Sequence, residues 1–134
     1  MRRIASVVVL ALLCAVIANT AAGSRTSRDA TCRGATNWSA ANRLIGRVAT
    51  IRGRVASAKF AASSNGSPTF LDVGVPYPDP RRFTVVIWIE NRARFGQPEV
   101  RYLGRTVCVR GLIRSYRGGA ETFATSPAQI AIAG

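Results

Sequence analysis

The chain has 134 residues, of which 19 are lysine or arginine, 6 are acidic and none is histidine, so its formal net charge is +13. This charge favours a polyanionic partner such as nucleic acid, anionic lipid or acidic glycan, although a GC-rich genome would also enrich arginine. The absence of histidine excludes histidine-based catalytic triads, and the scattered acids do not suggest a paired-carboxylate hydrolase. We therefore expect no catalytic residues, no metal site and no cofactor.

The N-terminal residues have the order of a secretory signal peptide. Two arginines precede an apolar run from Ile4 to Ala18, and small residues follow up to a cleavage site after Ala22,. The run has about 15 residues, fewer than the roughly 20 that a membrane-spanning helix needs. A retained membrane anchor is the weaker alternative. We expect residues 1–22 to be removed, which leaves a secreted or extracytoplasmic protein without a stable membrane span.

The cysteines also fit an exported chain. Cys14 belongs to the predicted signal peptide, and Cys32 and Cys108 remain as an even pair, which favours a disulfide between them,. The bond would close a loop of about 77 residues and stabilise the fold by roughly 4 kcal/mol in the chain-entropy model. The alternative is that Cys108 is a buried strand residue without a partner.

Residues 23–36 are small, polar and basic, and they predict a flexible lead-in to a single domain at 37–134. Asn37 is a typical helix N-cap, and the apolar residues that follow recur at helical spacing. The pattern predicts a short helix that is anchored by Trp38 and ended by Gly46.

Five predicted strands follow the helix. The first begins at Arg47, and Gly53 indicates a bulge or kink within it. A helical turn at 90–95 separates the third strand from the fourth, and Ser126–Pro127 interrupts the fifth. This order is typical of an all-β, five-stranded OB-fold barrel, whereas a β-sandwich needs about seven strands. After the first, the predicted strands are 69–75, 83–89, 105–116, and 121–125 continued by 129–133.

A family resemblance rests on five runs, namely WSAANRLIG (38–46), SPTFLDVG (67–74), YPDPRRFTVVIW (77–88), RFG (94–96) and YLGRTVCVRGLIRSYRG (102–118). Together they resemble a group of small bacterial OB-fold domains of the nucleic-acid-binding type, which occur alone behind signal peptides or attached to exported nucleases. The resemblance covers about residues 37 to 132 and implies an OB fold with a nucleic-acid ligand. The chain departs from the group in its arginine-rich strands and in its short final strand, AQIAIAG.

An OB barrel binds ligands on its second and third strands and on the loops that join strands one to two and four to five. Single-stranded nucleic acid needs a cationic groove for its backbone and aromatic side chains on which bases stack. Asp72 is expected as a polar residue on the exposed face of its strand, and Trp88 has the alternative of a covered, structural residue. The residues expected at the binding surface are Lys59, Phe60, Asn65, Phe70, Tyr77, Trp88, Arg92, Arg94, Arg110, Arg114, Tyr116 and Arg117.

These features predict a non-catalytic, exported binding module whose partner is single-stranded DNA or RNA, or another polyanion. The alternative is an envelope or extracellular module that binds a protein or a small ligand and has no nucleic-acid role. A third hypothesis is an enzyme whose site the sequence does not reveal.

Overall fold

The structure is a computed structural model that describes residues 30–133. The predicted signal peptide and residues 23–29 of the predicted lead-in lie outside this range, so both stay predictions. Within the described range, no helix is long and apolar enough to cross a membrane.

Eight strands of the described chain form one mixed sheet, and the helices between them are short. The strand order is β6-β7-β4-β3-β2-β5-β8, and β1 pairs with β2 beside this path. The strands are β1 (Thr36–Asn37), β2 (Val48–Phe60), β3 (Thr69–Val73), β4 (Phe83–Ile87), β5 (Thr106–Leu112), β6 (Arg114–Tyr116), β7 (Gly119–Phe123) and β8 (Ile130–Ile132). The helices are Trp38–Leu44, Ile89–Arg92, Ala93–Phe95, Pro98–Arg101 and Pro127–Gln129.

The fold is rich in β-strands, as the sequence predicts, but the sheet is open, and the expected closed barrel of five strands is not confirmed. Two predicted strands are divided. The predicted fourth strand breaks at Ile113, whose side chain is buried and whose backbone bonds to Gly46 and Arg47. The predicted fifth strand breaks at Pro127, which has no N–H to donate to a strand partner and begins a short helix instead,.

Both predicted helical segments are present. Asn37 caps the first, because its Oδ1 accepts a hydrogen bond from the backbone N–H of Ser39 at 3.0 Å, and the segment forms a 3₁₀ helix. The predicted turn at 90–95 corresponds to two consecutive short helices, and Phe95 at their end is buried in the core.

The longest strand, β2, holds the two halves of the sheet together. Its first part pairs antiparallel with β5, and its second part pairs antiparallel with β3. The register shifts between Val55 and Ser57, which marks a β-bulge, and a bulge lets a strand bend from one partner to the next,. Alternate residues of β2, including Ile51 and Val55, lie in the core.

A bulge or kink was expected at Gly53; the bulge lies three residues later, where the register shifts, and the register through Gly53 itself is unbroken. Gly53 instead lets the side chains of Val73 and Trp38 approach the backbone of β2 closely. A Cβ there would lie 2.6 Å from Val73 Cγ1 and 2.9 Å from Trp38 Cδ1. Gly74, whose φ is +94°, lies against the same indole, and a Cβ at this position would overlap the ring. Two glycines therefore make the space for the predicted anchor Trp38.

Cys32 and Cys108 form a disulfide with their Cα atoms 5.3 Å apart. Cys108 lies between Val107 and Val109, which face the core, so its side chain lies on the outer side of β5,. Residues 30–32 are helical, and β1 pairs with β2, so the end of the predicted lead-in is joined to the sheet.

Replacing both Cys32 and Cys108 with alanine should lower the melting temperature by roughly 15 °C or more. The bond spans 76 residues in sequence and stabilises the fold by about 4 kcal/mol in the chain-entropy model, at roughly 4–8 °C per kcal/mol. Thermal unfolding followed by circular dichroism measures the change. A reductant should lower the wild-type melting temperature similarly and leave the variant unaffected; a wild type insensitive to reductant would contradict the prediction.

Gly74→Ala should destabilise the protein more than Gly118→Ala. Both positions have a left-handed backbone, but a Cβ at Gly118 meets no atom within 4 Å, whereas one at Gly74 meets the Trp38 ring. We expect each variant to lose about 1–2 kcal/mol of unfolding free energy from the strained backbone. Gly74→Ala should lose roughly 1–3 kcal/mol more, because its new methyl group overpacks against the Trp38 ring. Denaturant unfolding measures both variants, and equal losses would show that Trp38 does not constrain Gly74.

Candidate functional site

A cleft of about 710 Å³ lies on the outer side of the sheet, where β2, β3, β4 and β7 are neighbours. Leu71 and Val85 point into the core, so the residues that alternate with them point outward,. Phe70 and Thr84 are such residues, and both line the cleft. We call this feature the sheet cleft.

A row of polar residues crosses the sheet cleft. The register aligns Ser57 with Asp72, Asp72 with Thr84, and Thr84 with Glu121. Asp72 Oδ2 accepts a hydrogen bond from Ser57 Oγ at 2.8 Å. Its Oδ1 accepts from Arg82 Nε at 3.2 Å and from Thr84 Oγ1 at 3.4 Å. Asp72 lies on the outer face of its strand, as expected, but only 4% of the residue is exposed, because its neighbours enclose it.

One rim of the sheet cleft is the loop between β3 and β4. The backbone N–H of Tyr77 donates to Ser57 Oγ at 3.0 Å, and the guanidinium of Arg82 lies 5.0 Å from the centroid of the Tyr77 ring. The loop is braced by Asp79, whose pKa is lowered to about 2 mainly by hydrogen bonds from Arg81. Tyr77 itself stays 68% exposed.

Another part of the rim is the hairpin between β6 and β7. Arg117 has a positive φ of 49° in this turn, and its guanidinium lies 5.2 Å from the centroid of the Tyr116 ring. Tyr116 is 57% exposed. The rim of the sheet cleft therefore carries two exposed tyrosines, each with an arginine beside it.

The floor between the rims combines an aromatic ring with a cation. Phe70 lies between Lys59 on β2 and Val86 on β4 in the strand register. Lys59 is exposed, and Phe70 is half-buried. A ligand with planar rings and negative charge would find both kinds of partner here.

Glu121 is the second carboxylate of the sheet cleft, and it differs from Asp72. Burial raises the pKa of Glu121, and the nearby charge of Arg114 opposes this only in part. Among residues 30–133 its side chain makes no hydrogen bond or ion pair, so its carboxylate remains available to a ligand.

The structure gathers five of the twelve predicted binding residues in the sheet cleft, namely Lys59, Phe70, Tyr77, Tyr116 and Arg117. It also adds residues that the sequence did not single out for binding. Ser57, Arg82, Thr84 and Glu121 carried no local signal, because only the pairing of separate strands brings them together.

Arg92 and Phe60 form a packed pair outside the sheet cleft. The guanidinium of Arg92 lies 3.7 Å from the centroid of the Phe60 ring. It also donates to both carboxylate oxygens of Glu99 at 2.7 Å and to Thr69 Oγ1 at 2.7 Å. These bonds raise the pKa of Arg92 and lower that of Glu99. Both predicted binding residues thus join the helices to the sheet.

Trp88 and Arg114 likewise contact other parts of the protein. The Trp88 ring packs edge-on against Phe123 at 5.6 Å, and a Cβ at Gly66 would lie 2.9 Å from its Cε3. The Arg114 guanidinium lies 4.4 Å from the centroid of the Phe123 ring. Trp88 therefore has the structural environment that was the alternative to a binding role.

The three remaining predicted residues do not line the sheet cleft either. Arg94 donates to the backbone oxygen of Thr125 at 3.0 Å, and Asn65 is an exposed loop residue. Arg110 lies on β5, opposite Thr50 of β2, at the other half of the sheet.

The stability difference between Glu121→Gln and the wild type should depend on pH. The folded protein holds the Glu121 proton more tightly than the unfolded chain. This stabilisation is complete below the ordinary pKa of 4.5 and is lost as pH rises through the raised folded pKa,. The variant does not titrate here, so its melting temperature relative to the wild type should increase from about pH 4 to pH 7. A difference that is independent of pH would contradict the raised pKa.

No protein-family model matches the chain, and no curated protein matches it. A solved structure of an OBody, AM1L10, bound to hen egg-white lysozyme is 19% identical with a TM-score of 0.51, over 74% of this chain and 93% of that one. Two aspartyl-tRNA synthetases also match. A putative enzyme from Leishmania major Friedlin is 12% identical with a TM-score of 0.48, over 75% of this chain and 21% of that one. The enzyme from Entamoeba histolytica is 14% identical with a TM-score of 0.42, over 67% of this chain and 19% of that one. This chain thus spans about a fifth of each synthetase, and the likeness to the OBody concerns the fold alone.

Proposed function

We propose that this chain is an OB-type binding module that takes single-stranded nucleic acid in the sheet cleft, without catalysis. One observation carries the proposal: Tyr77 and Tyr116 both lie exposed on the rim of a cleft whose floor holds Phe70. Stacking on an aromatic ring contributes roughly 1–3 kcal/mol per base and tolerates any base. Lys59 and Arg117 add positive charge for the phosphates.

The strand arrangement supports the OB-type assignment. β2 is shared by β3 and β5, β4 and β7 run parallel, and β8 returns to β5. If β5 with β6 and β7 with β8 each count as one interrupted strand, and the two-residue strand β1 is left out, five strands remain. OB folds bind ligands on strands two and three, which correspond to β3 and β4, and these strands form the floor of the sheet cleft.

The chemistry of the sheet cleft supports binding over catalysis. Both oxygens of Asp72 accept hydrogen bonds from neighbouring side chains, so this carboxylate is committed to holding the floor together. Glu121 alone offers a carboxylate, and the chain has no histidine to act as its partner. An extracytoplasmic location is part of the proposal, and the Cys32–Cys108 disulfide supports it, since such bonds persist in oxidising compartments,.

A protein ligand is the second candidate for the sheet cleft. Exposed tyrosines combine an apolar ring with a polar tip, which also suits protein interfaces. The similar OBody structure has lysozyme bound.

A fluorescence-anisotropy titration with short oligothymidylate tests the primary proposal. Tyr77→Ala combined with Tyr116→Ala should weaken binding by about 30-fold or more, because two stacking surfaces are lost. Tyr77→Phe combined with Tyr116→Phe keeps both rings and should bind like the wild type.

Two results would contradict this expectation. If no oligonucleotide binds at low salt, the cleft does not take nucleic acid, and the protein ligand becomes the better candidate. If oligonucleotides bind but the double alanine variant keeps its affinity, nucleic acid binds outside the sheet cleft.

A further inference from the structure

Two segments of the chain are rich in arginine and contain no acidic residue, at 30–71 and at 100–120. The fold brings them together, because β2 pairs with β5 from Val48 and Leu112 to Arg54 and Thr106. The sheet cleft differs, since Asp72 and Glu121 lie among its cations. The β2–β5 pairing therefore brings arginines of both segments together with no acidic residue in either paired strand.

The outer side of this half presents arginines in a regular series. Ile51 and Val55 point into the core, so Arg52 and Arg54 point outward about 6.7 Å apart along β2,. Arg110 lies opposite Thr50, the next outward position of the series. All three arginines are exposed.

A fourth arginine is held beside this series by the disulfide. Arg33 follows Cys32, whose partner Cys108 lies opposite Arg52 in the strand register. Arg33 and Arg110 line a common open cleft of about 650 Å³, and no acidic or aromatic residue lines it. We call Arg33, Arg52, Arg54 and Arg110 the arginine face.

The charges of the arginine face are not neutralised within the described range. The ion pairs of residues 30–133 are formed by Arg81, Arg82 and Arg92, which lie elsewhere. Within the described range, the hydrogen bond of the Arg110 guanidinium is a long contact of 3.5 Å with Thr50 Oγ1. Guanidinium groups without carboxylate partners retain their donors for phosphate oxygens, which they bind in a bidentate manner.

We infer that the arginine face is a second binding surface, separate from the sheet cleft, for a phosphate-bearing polyanion that is recognised by its charge and not by its bases. Duplex nucleic acid and inorganic polyphosphate share this chemistry. The inference does not depend on the proposed function of the sheet cleft, because the arginine face offers no ring on which a base could stack.

Titration of the full-length protein with long-chain polyphosphate and with duplex DNA, over a salt series, tests the inference. The triple variant Arg52→Gln, Arg54→Gln and Arg110→Gln should lose about tenfold or more in affinity at low salt. The plot of its log affinity against log salt should be less steep by roughly 3 units of slope, about one unit for each lost phosphate contact. A matched control, Arg43→Gln, Arg94→Gln and Arg101→Gln, removes the same charge from exposed arginines outside both surfaces and should retain most of the affinity. Melting temperatures verify that both variants are folded.

Equal losses in the two triple variants would overturn the inference, because net charge alone would then explain binding. Failure of both polymers to bind would also overturn it. If only one polymer binds, and the triple variant of the arginine face weakens that binding, the result supports the arginine face as a binding surface and identifies which polymer supplies the phosphates. The Tyr77→Ala, Tyr116→Ala variant separates the two surfaces, since it should bind polyphosphate like the wild type; a parallel loss would place the polyanion in the sheet cleft and overturn the second surface.

Discussion

The bend of β2 is the constraint on which the rest of the structure depends. A single strand pairs with β5 over its first part and with β3 over its second, and the bulge between Val55 and Ser57 joins the two pairings. Trp38 packs against Gly53 of this strand and against Gly74, where a side chain would collide with the indole. The backbone of β2 and one aromatic ring thus fix the relative position of both halves of the sheet.

This division of the sheet also separates two kinds of surface. The β3–β4–β7 side has its polar row anchored by Asp72 and its rims formed by Tyr77 and Tyr116. The β2–β5 side carries Arg52 and Arg110 without acidic partners, and the disulfide holds residues 30–37 across it. The sheet cleft therefore combines exposed aromatic rings with cations and two carboxylates, whereas the β2–β5 side presents arginines without either. A composition argument treats the basic residues as one signal, but the fold divides them between these two surfaces.

The accuracy of the sequence predictions follows the range of the interactions involved. The N-cap at Asn37 and the strand around Phe83 depend on neighbouring residues, and both are present where expected. The bulge was misplaced, because Gly53 is required by Trp38 and Val73, which are distant in sequence. Among the predicted binding residues, Arg92 fits the basic pattern of a nucleic-acid site, yet Glu99 and Thr69 occupy its donors. No local pattern reveals such a partner.

The sequence by itself determined the β-rich fold, the short capped helix and the even pair of cysteines, because turn residues, alternation and capping act over a few positions. It also determined the excess of arginine and the absence of histidine, and both limit the chemistry that any site in this chain can perform. Only the tertiary structure decided that Asp72 is enclosed, that Trp88 packs against Phe123, and that Tyr77 and Tyr116 share one cleft. These outcomes depend on which strands become neighbours and in which register, and a shift of one residue would turn every side chain to the other face.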